Sequence, residues 1–423
     1  MTQTVFTVIT EVDPERVGDL EQVLARIGPD LRTSDVLPLG DFETLHFASL
    51  VLARDATLPP TLIFEHNVDG SLDAWLATLV ARASPALDVL YSNCIGYPAG
   101  DDGELKQAYL ADHVVRPGAY HIGATGRTRA RIGQEAQLRQ GIEDYVEAEM
   151  TAGRLSGDPV AIRSAIRAFV AGDPAFAWAK PNHLQAARER LGAMWERVRP
   201  VLPLVILVPV AVVLLPLLVL LLVGWAVVLR RKELTDDVRQ DPAGSGTVEA
   251  LSRTEDFVAQ NHLASVIPVK PGLLRAVTLP VVLYIINLSA RVLATKGTLA
   301  GIPSIHFAHW SRINGGRHLL FLSNFDGSWE SYLGDFIDKG HAGLSAVWSN
   351  TVNFPRTRLL VKDGAEDGPQ FRQWARAKQC PTAAWYSAYP NATMPIIDNN
   401  TAIHKGLYGA MDKEEAQAWL RRL

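Results

Sequence analysis

The chain has 423 residues, 48% of them hydrophobic and 20% charged, with a formal net charge of −4. That length suits two or three domains with ample apolar material for packed cores, and the absence of a net positive field or of a basic stripe interleaved with aromatics excludes nucleic acid as a partner. Cys94 and Cys380 lack CxxC spacing, which excludes a zinc ribbon, and MTQTVFTVIT lacks the pattern of a cleaved signal peptide, so a reducing, cytoplasmic setting is expected.

In chain order, a strand over residues 4–12 ends before Pro14, a residue suited to a helix start. An amphipathic helix over 15–27 follows. Strands over 44–53 and 61–67 read as a hairpin. The junction Asn67-Val68-Asp69-Gly70-Ser71 then opens a second helix, and a last strand is expected over 87–92. A further helix (104–113) and strand (119–122) complete a first region, 1–125. Residues 126–200 form a helical insert.

Residues 201–229 read VLPLVILVPVAVVLLPLLVLLLVGWAVVL and carry no charge. These 29 residues exceed the roughly 20 needed to span a bilayer as a helix. A buried core helix is the alternative, but such helices are rarely this long or this free of polar groups. Pro203, Pro209 and Pro216 favour kinks. Arg197 and Arg199 before the run, and Arg230, Arg231 and Lys232 after it, give no preferred orientation. A re-entrant hairpin and a single tilted span both remain. The hairpin is favoured, with both flanking regions on the cytoplasmic side, because two sheets in one chain each have a face to bury. A polar stretch rich in Gly and Pro, within 230–258, reads as a mobile linker to the last region, 259–423.

That last region repeats the first. LHFASLVL from Leu45 matches IHFAHWSR from Ile305, NVDGSLDAWL from Asn67 matches NFDGSWESYL from Asn324, and LDVLYSNCIGYP from Leu87 matches LSAVWSNTVNFP from Leu344. The last two pairs share one offset, 257 residues (67 to 324, 87 to 344). The second copy therefore reads as a strand over 264–269, a helix over 272–294, a hairpin over 304–313 and 317–323, a helix, and a last strand over 344–349. A helix over 370–378 and a strand over 384–389 follow. Its first helix is uncharged from Ala276 to Ala290. It reads as too short to span, and either lies on the membrane interface or covers a core.

The resulting class is α+β: two ferredoxin-like β-α-β-β-α-β repeats with a helical, membrane-inserted insertion between them. Element order and duplication resemble the dimeric α+β barrel superfamily, which includes dye-decolourising peroxidases, chlorite-dismutase-like haem proteins and small cofactor-free monooxygenases. The stretches QNHLASVIPVKPGLLR and LSNFDGSWESYLGDFIDKG are also similar to a family of uncharacterised bacterial membrane-associated proteins. The resemblance implies haem as a candidate cofactor and an Asp-Gly pair as a distal acid–base group.

The candidate residues follow. Asp69 and Asp326 sit in Asp-Gly-Ser junctions, where a carboxylate caps the next helix or stands over a pocket. His46 and His306 begin matching strands, as sheet-bonding residues or as a ligand or base. His309 and Arg312 enrich only the second copy, and strand alternation puts Arg312 on the face of His306 and His309 on the other. His341, read as following a helix over 328–340, is a candidate axial ligand or a helix-end residue. The catalytic set is thus Asp326, His306 and Arg312, the cofactor set His341 and His309, with no metal-ligand motif. No P-loop, Rossmann fingerprint or nucleophile elbow is present. Two functions are expected: a membrane-anchored oxidoreductase, peroxidase-like or monooxygenase-like, acting on an apolar or lipid-derived substrate, or a non-catalytic lipid-binding or scaffold protein. The first expects His, Arg and Asp to converge on a pocket; the second expects an apolar groove without them.

Overall fold

The computed structural model describes residues 3–155, 157–181, 191–192, 194–195, 198, 201–202, 209, 212–239, 242–253, 255–292 and 298–423. The chain is α+β, built on two five-stranded antiparallel sheets. The first half supplies β1 (Gln3–Glu11), the hairpin β2 (Leu45–Asp55) and β3 (Leu58–Asp69), β4 (Val114–Val115) and β5 (Ala119–Ile122). The last part supplies β6 (Gln260–Pro268), β7 (Ile305–Ile313), β8 (His318–Asp326), a small ribbon of β9 (Thr357–Arg358) and β10 (Lys362–Asp363), then β11 (Gln379–Cys380) and β12 (Ala384–Ser387). The sheet orders are β12-β2-β3-β1-β4 and β11-β6-β8-β7-β5. Each half thus builds four strands of one sheet and gives its fifth to the other: β5 pairs with β7, and β12 with β2. This exchange makes the halves one body.

The helices in chain order are α1 (Val17–Ile27), α2 (Leu72–Tyr91), α3 (Gly103–Asp112), α4 (Arg129–Thr151), α5 (Pro159–Gly172), α6 (Leu215–Thr235), α7 (Ser245–Ser252), α8 (Leu273–Val292), α9 (Trp329–Asp335), α10 (His341–Trp348), α11 (Gly368–Lys378), α12 (Met394–Gly406) and α13 (Lys413–Leu420). Leu20, Trp75, Leu79 and Leu90 of α1 and α2 pack on Phe6 and Phe64 of the first sheet. Leu279, Leu283, Tyr332, Val347 and Trp374 pack on the outer face of the second. The inner faces meet each other, Val51 and Ile63 with Val266, Leu320 and Leu322. Strands covered on both faces are buried throughout, so β2 and β8 show no alternation of buried and exposed residues.

The expected last strands are corrected. Residues 87–91 end α2 and 344–348 lie in α10. Ala83, Ala86, Leu87, Leu90 and Tyr91 are buried at helical spacing. Pro85 produces a kink at Ala83 rather than a stop. The edge beside β1 is taken by β4 and that beside β6 by β11, short pieces reached through α3 and α11.

Two further expectations change. The 230–258 stretch contains α7, and Glu255 near its end is bonded to Arg376 at 2.7 Å and Gln379 at 2.6 Å. The first helix of the second half, read as too short to span, is long and apolar enough to cross a membrane over Leu273–Arg291, by length and composition. Two C-terminal helices, α12 and α13, follow the last strand. They pack on α4 and α5 of the insert through Ile142, Ile166, Ile403, Leu407 and Trp419. Much of the apolar run's first half, Pro203 included, lies outside the described residues.

Candidate functional site

His46 and His306 each occupy a bulge. Leu45 and Phe47 pair with consecutive residues Val68 and Asn67, and Ile305 and Phe307 with Phe325 and Asn324, leaving one histidine extra each time. A bulge re-aims its extra side chain. Both rings accordingly turn into the seam between the sheets, His46 against Phe307 (5.4 Å between ring centres) and His306 against Phe47 (5.1 Å). The bulged carbonyls are taken by the residues after the exchanged strands: Ala388 N–H donates to His46 O and Gly123 N–H to His306 O, both at 2.9 Å.

Each bulge histidine meets the aspartate at the end of the neighbouring strand. His46 Nε2 lies 3.0 Å from Asp69 Oδ1, and His306 Nε2 lies 2.7 Å from Asp326 Oδ1. The second carboxylate oxygen receives the first backbone amide of a distant helix. Arg129 N–H of α4 donates to Asp69 at 2.8 Å, and Met394 N–H of α12 donates to Asp326 at 2.7 Å. The aspartates therefore do cap helices, but not the ones that follow them in sequence; Ser71 and Ser328 cap those. A carboxylate at a helix N-terminus satisfies free amides and suits the dipole. Tyr389 bonds His46 Nδ1 at 2.9 Å.

Between these two units lies a polar centre whose matching positions in the other half, Leu322 and Val5, are apolar. Glu65 is fully buried and accepts four hydrogen bonds: Ser49 Oγ (2.9 Å) and His262 Nε2 (3.0 Å) on one oxygen, Asn67 Nδ2 (2.9 Å) and Asn324 Nδ2 (3.0 Å) on the other. Burial opposes its ionisation, but the His262 hydrogen bond and charge, with His309 and Asn67, outweigh it and hold the carboxyl down to about 2. His309 stands 3.8 Å from Glu65 and 3.1 Å from Thr7 Oγ1; burial pushes it down to about 4 despite the Glu65 charge. His66, the neighbour on the opposite face, is stacked on Phe6 and pushed down to about 3 by burial.

The structure brings Asp326 and His306 into contact and sets His309 in the same seam. It separates the rest of the expected set. The bulge at His306 shifts the alternation, so His306 and His309 both face the seam, whereas Arg312 is exposed near the hairpin turn. His341 does not follow a helix over 328–340: α9 stops at Asp335, a single wide turn intervenes, and His341 opens α10. Its Nε2 lies 3.3 Å from Glu366 on the outer side of the second sheet's helices, so it does not share a site with His309. Three residues of the seam, Glu65, His262 and Tyr389, belong to no motif in the sequence. Glu65 carried a signal, a lone carboxylate inside the apolar strand TLIFEHNV.

Room for a ligand lies elsewhere. A cavity of about 970 Å³ opens between α6, α8 and the helices outside the second sheet. Leu221, Trp225, Val281, Ile285, Trp310 and Leu344 are among its walls, and none of the described lining residues is ionisable. Trp225 Nε1 donates to Thr278 Oγ1 at 2.9 Å, which joins α6 to α8. The end of α6 is fixed to the body: buried Glu233 accepts from Thr357 Oγ1, Leu359 N and Leu360 N at 2.8–3.0 Å. Asp236 lies 2.6 Å from Arg275 and 2.9 Å from Lys270. Among the described residues no cluster of three His, Cys, Asp or Glu side chains has metal-binding geometry. No family model, curated protein or solved structure matches the chain.

Proposed function

We propose that the protein is a membrane-seated module that binds an apolar, lipid-derived molecule in the cavity between α6 and α8. The observation that carries this reading is the cavity itself. Its volume, about 970 Å³, is at the upper end of the roughly 300–1,000 Å³ usual for ligand pockets, and its described walls offer no acid, base or cation. The uncharged run over residues 201–229 supplies the membrane seat, and its C-terminal half is α6, whose Leu220, Leu221 and Leu222 are exposed. The frame on which this rests is read as two ferredoxin-like units, a reading supported by the matching order 4-1-3-2 of each half's own strands. Exchange of fifth strands supports the resemblance to dimeric α+β barrels, with one chain in place of two.

Of the two functions expected from the sequence, the geometry favours the binding module over the oxidoreductase. His306 and Asp326 are enclosed in the seam, Arg312 faces solvent and His341 pairs with Glu366, so the proposed acid–base and ligand groups do not converge on the cavity.

The test is direct. The protein is purified in detergent, extracted with organic solvent, and the extract examined by mass spectrometry. A fluorescent fatty acid is then titrated into the delipidated protein and into Gly343→Trp. A Cβ at Gly343, an exposed residue of the wall, meets no atom within 4 Å, so an added side chain has open space there and Gly343→Trp is expected to obstruct the cavity. At least tenfold weaker binding at unchanged thermal unfolding is expected. Equal binding by both proteins would refute the reading, and a Soret band after haem supplementation would return the haem reading in its place.

A further inference from the structure

We propose that α8 is a second membrane-contact element and lies flat on the leaflet, its outward face in lipid and its inward face on the second sheet. This rests on the membrane seat proposed above and adds where the body meets the bilayer.

Four observations lead to it. First, the inward face is fixed. Leu279 and Leu283 are 1% exposed and belong to the core under β5 and β7. A Cβ on Gly118, just before β5, would stand 3.1 Å from Leu283 Cδ1, so helix and sheet touch closely. Second, the side of α8 away from the sheet is apolar and exposed. Leu273 and Tyr284 are 80% and 41% exposed, and Val277, Val281 and Ile285, which also wall the cavity at its open side, are 53%, 51% and 53% exposed. A water-soluble helix seldom leaves such a stripe uncovered. Third, the stripe continues into the uncharged run: α6 runs antiparallel beside α8, joined through Trp225 and Thr278, and its own outer residues are apolar. Fourth, charge brackets the stripe. Arg275, Lys270 and Asp236 form one end, next to exposed Arg231 and Lys232 of α6, and Arg291 forms the other, over the Tyr120 ring. Basic side chains at both ends of an apolar stripe suit the headgroup level.

The occupant is therefore a phospholipid leaflet. A helix held lengthwise against a folded sheet cannot cross the bilayer without dragging the sheet in, although its length and composition allow a span. The cavity between α6 and α8 then opens towards lipid, which gives an apolar ligand a path that avoids water.

The experiment uses the full chain in vesicles of phosphatidylcholine and phosphatidylglycerol. Cys94 and Cys380 are replaced by serine, and single nitroxide labels are placed by Leu273→Cys, Tyr284→Cys, Leu220→Cys and, as a water reference, Arg312→Cys. Accessibility to oxygen and to a water-soluble nickel chelate reports depth. Labels at 273 and 284 are expected to favour oxygen and to sit at similar depth. A spanning helix would separate them by about 16 Å over eleven residues. Depths that differ by that much would overturn the flat arrangement. Water-exposed labels at 273 and 284 with a lipid-exposed label at 220 would overturn this proposal and leave the seat in α6 standing. A water-exposed label at 220 as well would remove the seat itself. Exclusion of both reagents at 273 and 284 would mean that protein, such as a second copy, covers the stripe, and would overturn the proposal too.

Discussion

The Glu65 carboxylate of β3 accepts a hydrogen bond from His262 Nε2 of β6 at 3.0 Å, across the seam between the two sheets. The residues at the matching positions of the other half are Leu322 for Glu65 and Val5 for His262, at the common offset of 257 residues. One half of a duplicated seam is thus apolar where the other is ionic. Removing one partner of a buried ionic pair strands the other, at about 3–5 kcal/mol. Glu65→Ala is expected to lose that much in chemical denaturation. The double change Glu65→Leu with His262→Val, which restores the matched apolar pair, should cost at least about 0.5–1 kcal/mol less than the sum of the two single changes. Strict additivity would show that the pair is not coupled.

Acid should weaken the protein in two stages. Burial holds His309 and His66 down to about 4 and about 3, against an ordinary 6.5. The unfolded chain takes up these protons first, so stability is full above about 6.5 and is lost as pH falls towards 4 and 3. Glu65, held down to about 2 against 4.5, adds a further loss between those values. His66→Phe keeps the stack on Phe6 and removes one titrating group. Its melting temperature should fall less than that of the native chain between pH 6.5 and 4. Parallel curves for the two proteins would contradict this assignment.

Asp69 and Asp326 make the same two contacts, one to a bulge histidine and one to the first amide of α4 or α12. Asp69→Asn and Asp326→Asn should each cost about 1.5–3 kcal/mol, the usual range for a hydrogen bond to a charged group. The two losses should agree within about 1 kcal/mol. A stable Asp326→Asn protein alongside a strongly destabilised Asp69→Asn protein would break the equivalence and reopen a chemical role for Asp326.

Strand exchange has a consequence for sidedness. Because β5 lies in the second sheet and β12 in the first, both sheets occupy one side of any membrane the chain enters. Asp73 and Glu330 are exposed at matching helix starts. In a background lacking Cys94 and Cys380, Asp73→Cys and Glu330→Cys should react alike with an impermeant thiol reagent on intact cells. Labelling of one site only would be incompatible with the exchanged sheets.

The sequence by itself determined the duplication, the hairpins, the Asp-Gly-Ser turns and the uncharged run, because each is written in local pattern: matched blocks at a fixed spacing, turn residues between apolar strands, and 29 residues without a charge. It does not distinguish helix from strand over 87–91 and 344–348, where short apolar runs satisfy both spacings equally well, and only packing on the sheets makes them helical. It paired His306 with Asp326 as candidates but grouped Arg312 with them, because a single extra residue in a strand reverses every face beyond it and leaves no mark in the sequence. Four features were settled by tertiary structure alone. They are the exchange of β5 and β12, the capping of α4 and α12 by distant aspartates, the four donors that converge on Glu65, and the cavity between α6 and α8. Each depends on residues tens to hundreds of positions apart, and such contacts follow from how faces are buried together rather than from any local preference.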